Sequence, residues 1–204
     1  MNREDKNQQT KAKIVNSAML EFARHGYDAG SLNSICRSGG ISKGIIYHYF
    51  ASKDELYLHC IDECFNKLTA YLRKELSSEQ LAEGERLSAY FQARIRFFRE
   101  NPVYACIFTE SVIMSPQRLK DEIDVRKSAF NEFNRQYLTE LLRATPLRED
   151  ITVDEVADSL RLFQDYLNMR FRSPDGAMVN MEEHERQCLR ALEIFLYGII
   201  KRDV

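Results

Sequence analysis

The spacing of the apolar residues constrains the fold of this chain more than any other feature. Ile14, Ala18 and Phe22 recur every fourth position ahead of Gly26, the period of one helix face ending at a residue suited to a helix stop. Leu119, Ile123, Phe130, Tyr137 and Leu141 mark a long helix after Pro116. Val156, Leu160, Phe163 and Leu167 form another stripe, and Leu189, Leu192, Phe195, Leu196 and Ile199 the last. Period-two alternation is hard to find, and only 8 Gly and 4 Pro punctuate 204 residues. The spacing predicts an all-α chain of about nine helices.

Composition narrows the class. With 44% hydrophobic and 29% charged residues the chain reads as globular, not disordered. The start, MNREDKNQQTKAK, lacks the apolar core of a secretory signal, and no run approaches the length of a membrane span. Cys36, Cys60, Cys64, Cys106 and Cys188 are odd in number and scattered, which argues against a disulfide framework and for a reducing cytoplasm. Residues 1–56 hold 8 Lys/Arg and 6 Asp/Glu, so the net charge of −2 divides into +2 there and −4 beyond. That asymmetry permits nucleic-acid binding at the N-terminal end without requiring it.

Elements are short up to about residue 50, broken by HGYDAGS and SGGIS, and lengthen from Ser52 onward. This predicts a small N-terminal module, residues 1–56, on a larger helical body, residues 57–204. Ser31 suits the N-cap of a helix over Leu32–Arg37, Gly39-Gly40 a sharp turn, and Ser42 the cap of a second short helix through Phe50. Two short helices about a glycine turn form a helix-turn-helix pattern. Ile46 and Phe50, one turn apart, close a core with Ile35 and Ile41; Lys43 with Tyr47, and Gly44 with His48, share a different face, and Tyr49 falls near the boundary. A glycine in the first turn of a helix costs roughly 1 kcal/mol against alanine, and close approach of another backbone would explain it. Then SKDE forms a capping box, Ser52 with Glu55. It leaves the cation Lys53 at a helix start, where anions are favoured. Spacing alone leaves two readings open, a nucleic-acid-binding helix pair and a packing element of some other helical protein.

The residues Gly26-Tyr27, Ser31, Ile35-Cys36, Gly39-Gly40-Ile41-Ser42, Gly44, Tyr47-His48-Tyr49-Phe50 and Lys53-Asp54-Glu55-Leu56 together resemble the DNA-binding domain of the tetracycline-repressor (TetR/AcrR) family over about 45 residues. Cys36 and Gly39 stand where that family usually has alanines, and Ile41 where it has valine. The resemblance implies a three-helix helix-turn-helix domain on an effector-binding and dimerisation domain. It also implies a homodimeric repressor that leaves a pseudo-palindromic double-stranded operator when a small molecule binds. By position, Lys43, Gly44 and Ile45 would meet base edges, with Ser42 at the start of the same helix. Tyr47, Tyr49 and Lys53 would hold phosphates, with Ser31 and Asn33 contributing from the preceding helix. His48, on the exposed face, would touch phosphate or base.

In the C-terminal region the resemblance places a dimer interface on the last two helices. Phe163, Leu167, Ala191, Ile194, Phe195 and Gly198 give those helices a second apolar side; a fully internal helix of a monomer is the alternative. It places a ligand pocket between Ser52 and about Ala144, where rings are frequent and polar residues interrupt apolar stripes. The candidates are Arg94, Phe98, Tyr104, Phe108, Arg126, Phe130, Asn134 and Tyr137, and the expected effector is apolar or aromatic, with an anionic group if Arg126 faces it. Pairing of Arg126 with an acid of another helix is the competing reading. No catalytic residue, metal or cofactor is expected: the four histidines are dispersed, and HExxH, GxSxG and a phosphate-binding glycine loop are all missing from the sequence. A thiol- or metal-responsive regulator using Cys60 and Cys64, one helical turn apart, is the alternative function.

Overall fold

A computed structural model describes residues 3–78, 85–144, 147–170 and 180–199, the side chains of Ser78 and of 195–199 excepted. Among the described residues the chain forms nine α-helices and one 3-10 turn, with no β-strand. They are α1 (Arg3–Ala29), α2 (Leu32–Gly39), α3 (Lys43–Tyr49), α4 (Lys53–Ser78) and α5 (Arg86–Glu100). After these come α6 (Pro102–Val112), a 3-10 turn (Gln117–Leu119), α7 (Lys120–Arg143), α8 (Val153–Arg170) and α9 (Met181–Ile199). None of the described helices is long and apolar enough to cross a membrane.

The chain folds as two compact units, one of Met1–Asn66 with Asn101–Lys127 and one of Lys67–Glu100 with Ser128–Val204. Helices α4 and α7 each contribute to both. In the first unit, Ile14, Ala18 and Phe22 of α1 are all buried, as are Ile35, Ile41, Ile46 and Phe50 of the short-helix module. Each buried Ile or Phe among them contributes about 1.5–3 kcal/mol on leaving water. Phe22 meets the Tyr57 ring edge-on at 5.0 Å, and Tyr57 lies 4.8 Å from Tyr27. Phe65 of α4 packs on Phe108 of α6 at 5.5 Å.

Gly26 interrupts α1 with φ 69° and ψ 175°, a backbone that L side chains avoid. The expected helix stop is therefore present as a kink, after which one more turn reaches Ala29. Gly40 ends α2 in the left-handed conformation, φ 56°. Its N–H bonds Arg37 O, and Ile41 N–H bonds Cys36 O at 2.9 Å, closing the helix end.

In the second unit α5 buries Leu87, Tyr90, Phe91, Arg94, Phe97 and Phe98 and packs on α9. Phe130, Tyr137 and Leu141 of α7 are buried in this unit, and Ile123 of the same stripe in the first.

Candidate nucleic-acid interface

Helix α3 is held by its ends and by one residue in its middle. Ser42 Oγ accepts the Ile45 N–H at 3.3 Å, and Phe50 N–H bonds Ile46 O at 2.9 Å. Ile46 is 1% exposed and anchors the inner face. The opposite face is open: Ile45 is 41% and Tyr47 48% exposed, and Ser42, Lys43, Gly44 and His48 are exposed with them. A Cβ built at Gly44 meets no atom within 4 Å, so nothing in the fold requires glycine there.

The flanking helices complete the surface. Ser31 caps α2 by accepting the Asn33 N–H at 3.2 Å, and its own N–H bonds Glu21 Oε1 at 3.0 Å. Asn33 is exposed and Ser31 half-buried. At the start of α4, Ser52 Oγ accepts the Glu55 N–H at 3.1 Å. The Glu55 carboxylate reaches past Ser52 to the Ala51 N–H at 2.6 Å, so the capping box closes one residue earlier than its standard form. Lys53 is half-buried. Its ammonium stands 4.6 Å from the centre of the Tyr27 ring and donates to Asp28 O at 3.1 Å.

Residues 14–60 match the family model described as bacterial regulatory proteins, tetR family. Residues 14–60 are thus a TetR-family DNA-binding module. The chain's relatives include the biofilm operon icaADBC HTH-type negative transcriptional regulator IcaR of Staphylococcus epidermidis, 26% identical over 65% of this chain and 68% of IcaR. The HTH-type transcriptional repressor AcnR of Corynebacterium jeikeium is 24% identical over 74% of this chain and 76% of AcnR. In fold the chain is similar to the transcriptional regulator FadR from Bacillus subtilis, solved in complex with stearoyl-CoA. That likeness has a TM-score of 0.68 and 16% identity, and covers 89% of this chain and 96% of FadR.

Around this TetR module lie residues that sequence reasoning missed. The Tyr49 hydroxyl donates to the Asn7 side-chain oxygen of α1, so Tyr49 is tied to the first turns of that helix. Beside it, Arg3, Glu4, Lys6, Asn7 and Thr10 line an open groove of about 700 Å³ with His48 and Tyr49. The polar MNREDKNQQTKAK start held that signal, but nothing local to it points toward α3, some forty residues on.

The other site residues fall in both units. In the first, Arg126 pairs with Asp62 of α4, both partly exposed; Phe108 packs on Phe65; and Tyr104 O accepts from Cys64 Sγ at 3.5 Å. Cys60 and Cys64 are buried, and burial pushes both thiols well above their ordinary range, the protonated form that neither attacks disulfides nor binds metal. In the second unit Tyr90 donates to Asn134 Oδ1 at 2.7 Å and Tyr137 to Arg86 O at 3.0 Å. Phe98 and Phe130 are buried, and Arg94 is buried against Glu185. On α8 Leu167 is buried and Phe163 half-buried, while Leu162, Tyr166 and Met169 are exposed; on α9 Ala191 is half-buried and Ile194 exposed. The side-chain surroundings of Phe195 and Gly198 lie outside the described residues.

Proposed function

We propose that the chain is a homodimeric transcriptional repressor. On this reading residues 1–56 bind a pseudo-palindromic double-stranded operator, and the helices of 57–204 dimerise and take up a small apolar or aromatic effector that releases the DNA. The observation that carries the reading is the open face of α3. It presents Ser42, Lys43, Gly44, Ile45, Tyr47 and His48 outward, and a helix with such residues at its N-terminal end suits the major groove. Lys43, Gly44 and Ile45 would meet base edges. Tyr47, Tyr49 and Lys53 would hold phosphates with Ser31 and Asn33, and His48 would touch either. Two-fold symmetry would set the half-sites about 34–36 Å apart. The negative regulation named for IcaR and AcnR supports repression, and the acyl-CoA named for FadR supports an effector with a long apolar part. An anionic group on that effector would have to compete with Asp62 for Arg126.

Gly44→Ala separates this face from the fold. A methyl group there meets open space in the free protein, so the variant gains up to about 1 kcal/mol of helix stability. Against an operator selected from random duplexes, its affinity falls by about tenfold or more as the methyl enters the groove contact. A stabilised variant with unchanged affinity would remove Gly44 from the interface. If the unaltered protein selects no sequence at any salt concentration, the DNA-binding reading itself fails.

Lys53→Ala supplies a second check. Phosphate contacts set register and carry no base information. Loss of this cation is expected to weaken binding to all duplexes alike and to lower the salt slope by about 1. A change in the preferred base would contradict the phosphate role.

A further inference from the structure

The strongest unassigned feature of the first unit is a carboxylate held against the kink of α1. Gly26 turns the chain away from helical geometry, and the Tyr27 N–H is met by Glu110 Oε1 from α6. A Cβ on residue 26 would come within 3.0 Å of that same oxygen. Glu110 Oε2 is sealed from solvent beside the Tyr57 hydroxyl, itself sealed. Tyr27 is fixed at its other end too: its hydroxyl donates to Asp54 Oδ1 at 2.5 Å, and Arg118 pairs with that carboxylate at 2.6 Å. Tyr27 is buried and stands four residues before the Ser31 cap of α2, so its placement sets where the helix-turn-helix begins.

We propose that Glu110 is a positioning residue that holds α2 and α3 in place for DNA from outside the helix-turn-helix. The inference rests on the DNA-binding reading above. A neutral acceptor would satisfy the Tyr27 N–H; a carboxylate adds a charge that burial makes costly. Three elements face it. From α1 come Tyr27 and Asp28, from α4 Lys53 and Tyr57, and from α6 itself Cys106. Burial is the largest influence and pushes the carboxyl up, Asp28 adds to it, the Tyr57 hydroxyl and Lys53 oppose it, and the result is about 7. The group therefore changes charge near neutral pH. Its folded value lies above that of an unfolded glutamate, so the folded unit binds the extra proton between about pH 4.5 and 7. This group's contribution to stability is then greatest on the acid side and is lost as pH rises through 7.

The bond to Tyr27 runs the other way. An ionised acceptor holds an N–H more strongly than a neutral one, so deprotonation tightens the grip on the α1–α2 junction even as it costs stability. Apparent affinity scales with the fraction of molecules whose α3 is in place. These opposite signs distinguish positioning from support of the fold.

The test is operator affinity of the full-length protein between pH 6 and 8, comparing the unaltered chain with Glu110→Gln and Glu110→Ala, thermal melts alongside. Glutamine keeps an acceptor for Tyr27 and loses the charge. The unaltered chain and Glu110→Gln are expected to bind alike at pH 6 and to diverge to about fivefold at pH 8, the unaltered chain tighter, while Glu110→Gln melts at the higher temperature there. Glu110→Ala leaves the N–H unmet and binds more weakly at both pH values. A ratio constant across the range, or an alanine variant that binds as the unaltered chain does, overturns the proposal. Absence of operator binding by the unaltered chain under all conditions would instead overturn the DNA-binding reading on which it rests.

Discussion

Glu185→Ala should cost the second unit about 3–5 kcal/mol, the penalty for leaving one member of a buried ion pair without its partner. Arg94 is 1% and Glu185 0% exposed. The guanidinium engages the carboxylate through two nitrogens, Nε to Oε2 at 2.7 Å and Nη2 to Oε1 at 2.8 Å. Its Nη1 donates to the Tyr90 hydroxyl at 2.9 Å, and that hydroxyl continues to Asn134 of α7. On the far side, His184 Nδ1 stands 3.4 Å from Oε1 and Nε2 2.9 Å from Asn168 Oδ1 of α8. The network thus joins α5, α7, α8 and α9, with the rings of Tyr90, Phe91 and Phe130 around the cation. Burial disfavours the charge on Glu185, but Arg94 and His184 outweigh it and hold the carboxyl below the usual range. A depressed carboxyl contributes stability above its unfolded pKa, near 4.5, and that contribution is lost as pH falls through the folded value. For a chain of this size the melting temperature of the alanine variant should drop by about 6–20 °C. The double replacement Arg94→Met with Glu185→Leu, which removes both charges, should restore most of the loss. A drop under about 2 °C for Glu185→Ala would mean the pair does not hold these helices.

The second large effect concerns association and follows from the proposed homodimer. Leu162, Tyr166 and Met169 follow one another along one side of α8 and are all exposed, whereas Val156, Leu160 and Leu167 on its other side are buried. On α9 Ile194 is exposed as well. A two-fold dimer buries the same patch on both copies, so two substitutions act four times. Leu162→Lys with Tyr166→Lys should leave the melting temperature of the isolated protomer nearly unchanged, since exposed positions contribute within about 0.5 kcal/mol. Sedimentation should find a monomer, and operator affinity should fall by about 10³-fold or more, toward non-specific binding. A variant that still sediments as the dimer would exclude this side of α8 from the interface.

The helices were readable because their evidence is local. The stripes at 14–22 and 119–141, the caps at Ser31, Ser42 and Ser52 and the glycine turn at Gly40 all act within a turn or two of themselves. The division of α3 into Ile46 inward and Tyr47 outward follows from the same short-range geometry. Pairings across the chain had no such trace. Arg94 was legible only as a polar break in the Leu87–Phe98 stripe, which suits a ligand contact as well as an ion pair, and Glu185 lies 91 residues away. Arg126 gave the same ambiguous signal, and its partner Asp62 lies 64 residues off. Glu110, in the last turn of an apolar helix, was not singled out at all, because the N–H it serves belongs to a kink 83 residues earlier. On α8 the stripe read from its period has Val156, Leu160 and Leu167 buried and Phe163 half-buried, and the exposed Leu162, Tyr166 and Met169 were not singled out.

The fit of Glu110 into the bend at Gly26 ties two distant positions in their history. Any side chain at 26 would both strain a backbone at φ 69° and press on the Glu110 oxygen at 3.0 Å. A side chain at 26 is therefore tolerated only where residue 110 changes as well, whereas residue 110 can change alone. Among homologues a side chain at 26 should appear jointly with a straightened first helix and a shorter or apolar residue on α6. Aligned sequences in which position 26 gains a side chain while the glutamate stays would speak against that dependence.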